Sequence, residues 1–205
     1  MPPELGQESL AGEQAGRVLP YFLGATERSA TLGAPRVYMT LPRGSLEDAS
    51  RDAYLRSLRR IADRAGELGM LLCLKPHPDR AIPTVAGALN LVRETDHPAI
   101  RVLIDISHLL ITEEEPEEAI RLVGNSIGYV HVADNDGRSD QHRPLFEGRL
   151  TPATLERSLG ALARSGYDGP IGIELNSGTR QPVTSLVAAR DYLVSSAAHS
   201  VSPLD

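Results

Sequence analysis

Short apolar runs alternate with longer amphipathic stretches along almost the whole chain. The runs are Arg36–Leu41 (RVYMTL), Met70–Leu74 (MLLCL), Ile100–Ile104 (IRVLI), Ile127–Val132 (IGYVHV) and Pro170–Leu175 (PIGIEL). Each is too short for a helix, and MLLCL in particular is apolar without alternation, as a strand buried on both faces requires.

The stretches between them carry helix signals. Residues 8–32 predict a helix closed by Gly33, with Pro20 expected to kink or divide it. Ser45, with Asp48 three residues on, reads as a capping box before a long amphipathic helix that ends at Leu68 and Gly69. A loop at PHPD leads to a helix from about Pro83 to Glu94. Thr112 predicts an N-cap, with Glu113, Glu114 and Glu115 in a first turn that favours negative charge. A polar loop spans about Asn135 to Arg149, Thr151-Pro152 opens another helix, and a last one runs from about Pro182 to Ala198. Five strands separated by helices imply an α/β fold with a parallel sheet and right-handed crossovers. No Pro/Gly/Ser linker interrupts the pattern, so residues 1–205 are expected to form one domain.

Composition narrows the function classes. The formal net charge is −6, with no Lys/Arg block. Polyanion binding needs clustered cations that displace counterions, so nucleic acid is not an expected partner. Arg56, Arg59, Arg60 and Arg64 do cluster, but opposite Leu55, Leu58, Ile61, Ala65 and Leu68, as the solvated face of a helix. Two Phe and no Trp leave few platforms for base stacking. No apolar run reaches membrane length, and MPPELGQESLAGEQ lacks a leader pattern. The single cysteine, Cys73, fits a buried place in a reducing compartment, so a cytoplasmic location is expected.

Polar chemistry gathers directly after the strands. Lys75 and His77 follow MLLCL, Asp105 and His108 follow IRVLI, His131 and Asp134 close IGYVHV, and Glu174 closes PIGIEL. In parallel α/β folds the loops at the carboxyl ends of the strands converge on the ligand-binding face.

The segments LCLKPHPD, VLIDISHL, YVHVADNDG, FEGRL and GYDGPIGIEL resemble, in order and spacing, the xylose-isomerase-like sugar-phosphate isomerase/epimerase family over about residues 15–195. The resemblance implies a (β/α) barrel of the TIM type, here incomplete, with about five C-terminal βα units present. It also implies a divalent cation (Mn, Mg, Co or Zn) held by Glu, Asp, His and Glu from successive strands. By position Asp105, His131 and Glu174 match three of those metal ligands. Glu174 would be the catalytic base, His108 and Asp134 would be substrate-binding positions, and Arg143 falls in the loop whose Arg often contacts a sugar hydroxyl or phosphate.

Two departures from the family pattern stand out. Lys75 occupies the place of the first metal Glu, so it is expected either to weaken the metal or to replace it as a catalytic electrophile or acid. His77, two residues on, is the candidate to bind substrate or fill the vacancy. A full barrel has eight strands and about 250 residues, so the remaining strands are expected from a homo-oligomer or from sequence supplied elsewhere. The function expected is an isomerase, epimerase or related dehydratase acting on a small carbohydrate by proton abstraction next to a carbonyl. The competing expectation is a non-catalytic sugar-binding or partner subunit. Endonuclease-like DNA repair on the same fold would want more metal-binding histidines and a basic face.

Overall fold

The computed structural model describes residues 7–200. All five apolar runs become strands: β1 (Arg36–Thr40), β2 (Leu71–Lys75), β3 (Ile100–Asp105), β4 (Ile127–Val132) and β5 (Ile171–Ile173). The helices are α1 (Ala15–Thr31), α2 (Asp48–Glu67), α3 (Val85–Thr95), α4 (Ile106–Ile111), α5 (Pro116–Val123), α6 (Pro152–Arg164) and α7 (Pro182–Ser200). The chain divides into two compact units between Leu103 and Ile104.

In the first unit β1 pairs in parallel with β2, and β2 with β3. The amphipathic helix α2 packs on α1 and on β2. Tyr54, Leu58 and Ile61 are buried on that inner face, together with Leu72, Cys73 and Leu74 of β2. Each large aliphatic side chain removed from water in this way contributes about 1.5–3 kcal/mol. In the second unit β4 pairs in parallel with β5, and α6 packs between α5 and α7.

Several local expectations are corrected. Pro20 does not divide the helix: it lies inside the continuous α1, on its solvent-exposed side. The break comes earlier, between a short 3-10 turn at Gln7–Ala11 and α1. The Ser45 capping box does not form: Glu47 is the N-cap of α2, and Ser45 Oγ bonds the Glu47 side chain at 3.3 Å instead. Thr112 does not open a helix. It closes α4, and the next helix, α5, begins at Pro116 behind Glu115.

Candidate active site

Four of the sequence-predicted residues meet at the strand ends of the second unit. Asp105 is both the last residue of β3 and the N-cap of α4. Its Oδ1 accepts the Ser107 N–H at 3.0 Å and the Ser107 hydroxyl at 2.7 Å. Capping thus fixes one oxygen and aims the other. Oδ2 stands 3.6 Å from His108 Nε2, which the helical repeat returns to the same end three residues later. Asp105, His108 and His131 are almost wholly buried.

His131 projects from β4 on the same face as Tyr129, whose ring meets it edge-on at 4.5 Å between centroids. Glu174 follows β5, and its N–H extends the ladder to Val132 O at 3.1 Å. That placement sets Glu174 Oε1 3.1 Å from His131 Nδ1. Gly172 makes the approach possible, because a Cβ there would come within 2.7 Å of the Tyr129 hydroxyl and 3.1 Å of His131 Cδ2.

Two further residues complete the cluster, and the sequence reading passed over both. Asp140 Oδ1 lies 3.3 Å from His108 Nε2 and 3.3 Å from His142 Nε2. His142 Nε2 also lies 3.0 Å from Glu174 Oε2, so each Glu174 oxygen has its own imidazole. The backbone of His142 is left-handed, with φ 45°. That conformation is uncommon for a residue with a β-carbon and collects at functional sites. Glu174's hydrogen bond raises the His142 pKa above the usual imidazole range, against the opposing effect of burial; the charges of Asp140 and Asp105 add to the rise. The only sequence signal for the pair was the Asp-x-His spacing at 140–142, inside a polar loop without periodicity.

The remaining sequence-predicted residues stand as follows. The buried Asp134 carboxylate accepts three backbone N–H bonds, from Asn135 (2.7 Å), Gly148 (2.7 Å) and Leu150 (2.8 Å). Its own backbone pairs with Arg143 in both directions, at 3.1 and 2.7 Å. Arg143 Nη1 donates to Glu147 O at 3.3 Å. Lys75 and His77 belong to the first unit. Lys75 is buried at the end of β2, with Nζ 5.8 Å from the Tyr38 ring centroid, and His77 Nδ1 accepts the Asp79 N–H at 3.1 Å.

The donor set fits a divalent cation. Ligand atoms of Asp105, His131 and Glu174 all lie within 4.8 Å of one another. Ligand bonds of about 2 Å place the donors of one ion within roughly 4 Å of each other, so a shift of less than an ångström closes the set. Two carboxylates and an imidazole suit a hard-to-borderline ion better than a soft one.

The sequence profile of the xylose isomerase-like TIM barrel family matches residues 5–195. The chain belongs to that family. With five strands among the described residues, this xylose isomerase-like chain is an incomplete TIM barrel. An inosose dehydratase of Lacticaseibacillus casei is 26% identical over 152 residues, 66% of this chain and 51% of that protein. A ketose 3-epimerase of Arthrobacter globiformis is 29% identical over 119 residues, 56% of this chain and 38% of that protein. Among solved structures, a D-tagatose 3-epimerase-like protein shares the fold with a TM-score of 0.80 at 23% identity, covering 98% of this chain and 77% of that one. The chain spans 49%, 22% and 65% of the length of three further curated relatives. Among the described residues no helix is long and apolar enough to cross a membrane.

Proposed function

We propose that this protein is an isomerase, epimerase or dehydratase that acts on a sugar, keto-sugar or cyclitol by moving a proton at the carbon next to a carbonyl. One observation carries the reading: the donor atoms of Asp105, His131 and Glu174 lie within 4.8 Å of one another. In this reading the three residues hold a divalent cation, which when bound polarises the substrate oxygen and so acidifies the adjacent C–H. Glu174 takes the proton. Its two oxygens each lie beside an imidazole, Oε1 by His131 and Oε2 by His142, and either can accept it. His108, fixed between Asp105 and Asp140, donates to a substrate hydroxyl. Burial of Asp105, His108 and His131 limits the access of bulk water to their side of the site.

Lys75, which stands where the family pattern has a metal Glu, favours a second reading, a sugar-binding subunit without catalysis. In either case the open side of β1, which among the described strands pairs with β2 alone, is covered by further strands or by a second copy. The deciding experiment incubates the protein with Mn and a panel of ketoses and inososes in D2O and follows deuterium at the α-carbon by NMR. The enzyme reading expects exchange that Glu174→Gln abolishes. Saturable sugar binding without exchange in the wild type would instead establish the binding subunit.

A further inference from the structure

In the second unit the polar loop meets α4 through the side chain of Asn135, which is fully buried. Its Nδ2 donates to Ser107 O in the first turn of α4 at 2.6 Å, and its Oδ1 accepts the Gly137 N–H at 2.7 Å. An amide offers a donor and an acceptor at once, so this one side chain serves a helix and a loop turn together. The Asn135 carbonyl accepts the Arg149 N–H at 2.7 Å, and Arg149 Nη1 reaches back to Leu110 O of α4 at 3.3 Å. Glycine is required at 137, where φ is 76° and a Cβ would come within 2.6 Å of Arg149 Cδ. Asp136 then takes the N–H groups of Arg138 (2.9 Å) and Ser139 (3.0 Å) and the Gln141 side-chain amide (2.9 Å). Side-chain bonds that begin at Asn135 therefore set the course of the loop as far as Gln141. The Asp134 carboxylate bonds to Asn135, Gly148 and Leu150, whereas the Asn135 amide crosses to α4.

We propose that Asn135 is a positioning residue, which sets Asp140 and His142 against Asp105 and His108 by tying the loop to α4. The inference rests on the reading above of Glu174 as the reacting base, and it deepens that reading by naming what aligns the neighbours of that base. Ser107 is the shared joint: its N–H and hydroxyl hold Asp105 Oδ1, while its carbonyl holds Asn135. His108 comes from α4. The loop supplies Asp140, 3.3 Å from His108 Nε2, and His142, 3.0 Å from Glu174 Oε2. Asn135 acts through these groups and not on the substrate. A misplacement of about 1 Å at such a site costs about 10²-fold in rate. Aspartate at 135 has nearly the same shape and still accepts the Gly137 N–H. It faces the Ser107 carbonyl with an oxygen in place of a donor, however, so the tie to α4 breaks while the turn remains.

The test compares wild type with Asn135→Asp, Asn135→Gln and, as a control for lost stability, Leu155→Ala, which empties a buried position of α6. Two quantities are read. The first is the imidazole nitrogen signals of His108 and His142 by NMR in metal-free protein, assigned with His108→Gln and His142→Gln. The second is the deuterium exchange described above, with Mn added, resolved into kcat and KM. Asn135→Asp is expected to shift both imidazole signals and to lower kcat about 10- to 100-fold, with a smaller change in KM. Leu155→Ala, at an equal or greater loss of urea stability, should keep both signals and kcat near wild type. Asn135→Gln, with donor and acceptor on a longer arm, should fall between. Arg149→Met removes only the second tie and is expected to shift the same signals by less, which keeps the test open should Asn135→Asp fail to fold. Signals at their wild-type positions in whichever of these two variants folds, or a loss of kcat matched by Leu155→Ala, overturns the positioning role. The signals need neither metal nor substrate, so the two proposals fail separately. Shifted signals without exchange by the wild type leave Asn135 standing and remove the reaction, and exchange with unmoved signals does the reverse.

Discussion

Asp134 and Gly148 are joined across the whole polar loop by a 2.7 Å hydrogen bond from the Gly148 N–H to Asp134 Oδ2. Oδ1 of the same carboxylate takes the N–H groups of Asn135 and Leu150, so one buried side chain organises the segment that carries Asp140, His142 and Arg143. Gly148 has no alternative at this contact. A Cβ there would overlap the Asn135 carbonyl oxygen and lie 2.8 Å from Asp134 Oδ1. The obstruction is backbone, and it cannot rotate away.

Asp134→Asn is therefore expected to destabilise the protein by about 2–4 kcal/mol, because an amide NH2 replaces an acceptor facing backbone donors. Gly148→Ala should lose a comparable amount through the steric overlap. Urea melts of both variants measure this, and the deuterium-exchange activity should fall further than stability alone predicts. Either variant retaining wild-type stability and activity would show that the loop does not depend on the carboxylate.

The strand ends were the readable part of this site. A polar residue at the end of an apolar run breaks a clear pattern, so Asp105, His131 and Glu174 stood out. Asp140 and His142 lie in a loop held by Asp134, and nothing periodic marks a residue placed by a carboxylate that reaches sixteen positions on, to Leu150. Thr151 caps α6 as expected, but two other capping signals failed for a related reason. Thr112 before three glutamates looks like a helix start, but Asp105 had already capped a short helix, and Thr112 became its end. Ser45 lost its role because the chain stays extended through Glu47, at φ −82° and ψ 166°, before α2 begins. Tertiary position decided these cases over local propensity.

Burial at Cys73 and Tyr54 predicts sensitivity to alkali. Desolvation pushes the Cys73 thiol up to about 12, against small opposing effects of Arg36 and Arg101. The unfolded thiol ionises near about 8.5. Below that pH both states are protonated and stability is full. Between it and about 12 only the unfolded chain releases the proton, so stability falls by about 1.36 kcal/mol per pH unit from this group. Tyr54, also raised by burial, adds to the loss at higher pH. Urea midpoints at pH 7, 9 and 10 should decline, and Cys73→Ala, less stable throughout, should decline less steeply. An identical pH slope in the variant would mean that the thiol is reached by water. The Tyr54 hydroxyl has no hydrogen-bond partner among the described residues, so Tyr54→Phe should leave stability unchanged or raised, whereas Tyr54→Ala should lose about 3–5 kcal/mol.

The last prediction separates the two oxygens of Asp105. Oδ1 is held by the Ser107 N–H and hydroxyl, while Oδ2 faces His108. If the proposed cation binds among Asp105, His131 and Glu174, the Ser107 hydroxyl orients a ligand without touching the ion. Ser107→Ala should then weaken Mn binding by roughly 10- to 100-fold, as the loss of a bond behind a metal ligand does. Asp105→Asn and His131→Ala, which remove a charge or a donor atom, should weaken it further. Ser107→Ala leaves the backbone cap in place, so α4 is expected to stay folded and its thermal midpoint to shift by only a few degrees. Calorimetric titration with Mn, run beside circular dichroism, reads both quantities. Mn affinity unchanged by Asp105→Asn and His131→Ala would remove the metal from this cluster. Affinity lost in those two but intact in Ser107→Ala would show that the buried strand end holds the carboxylate without help from the serine.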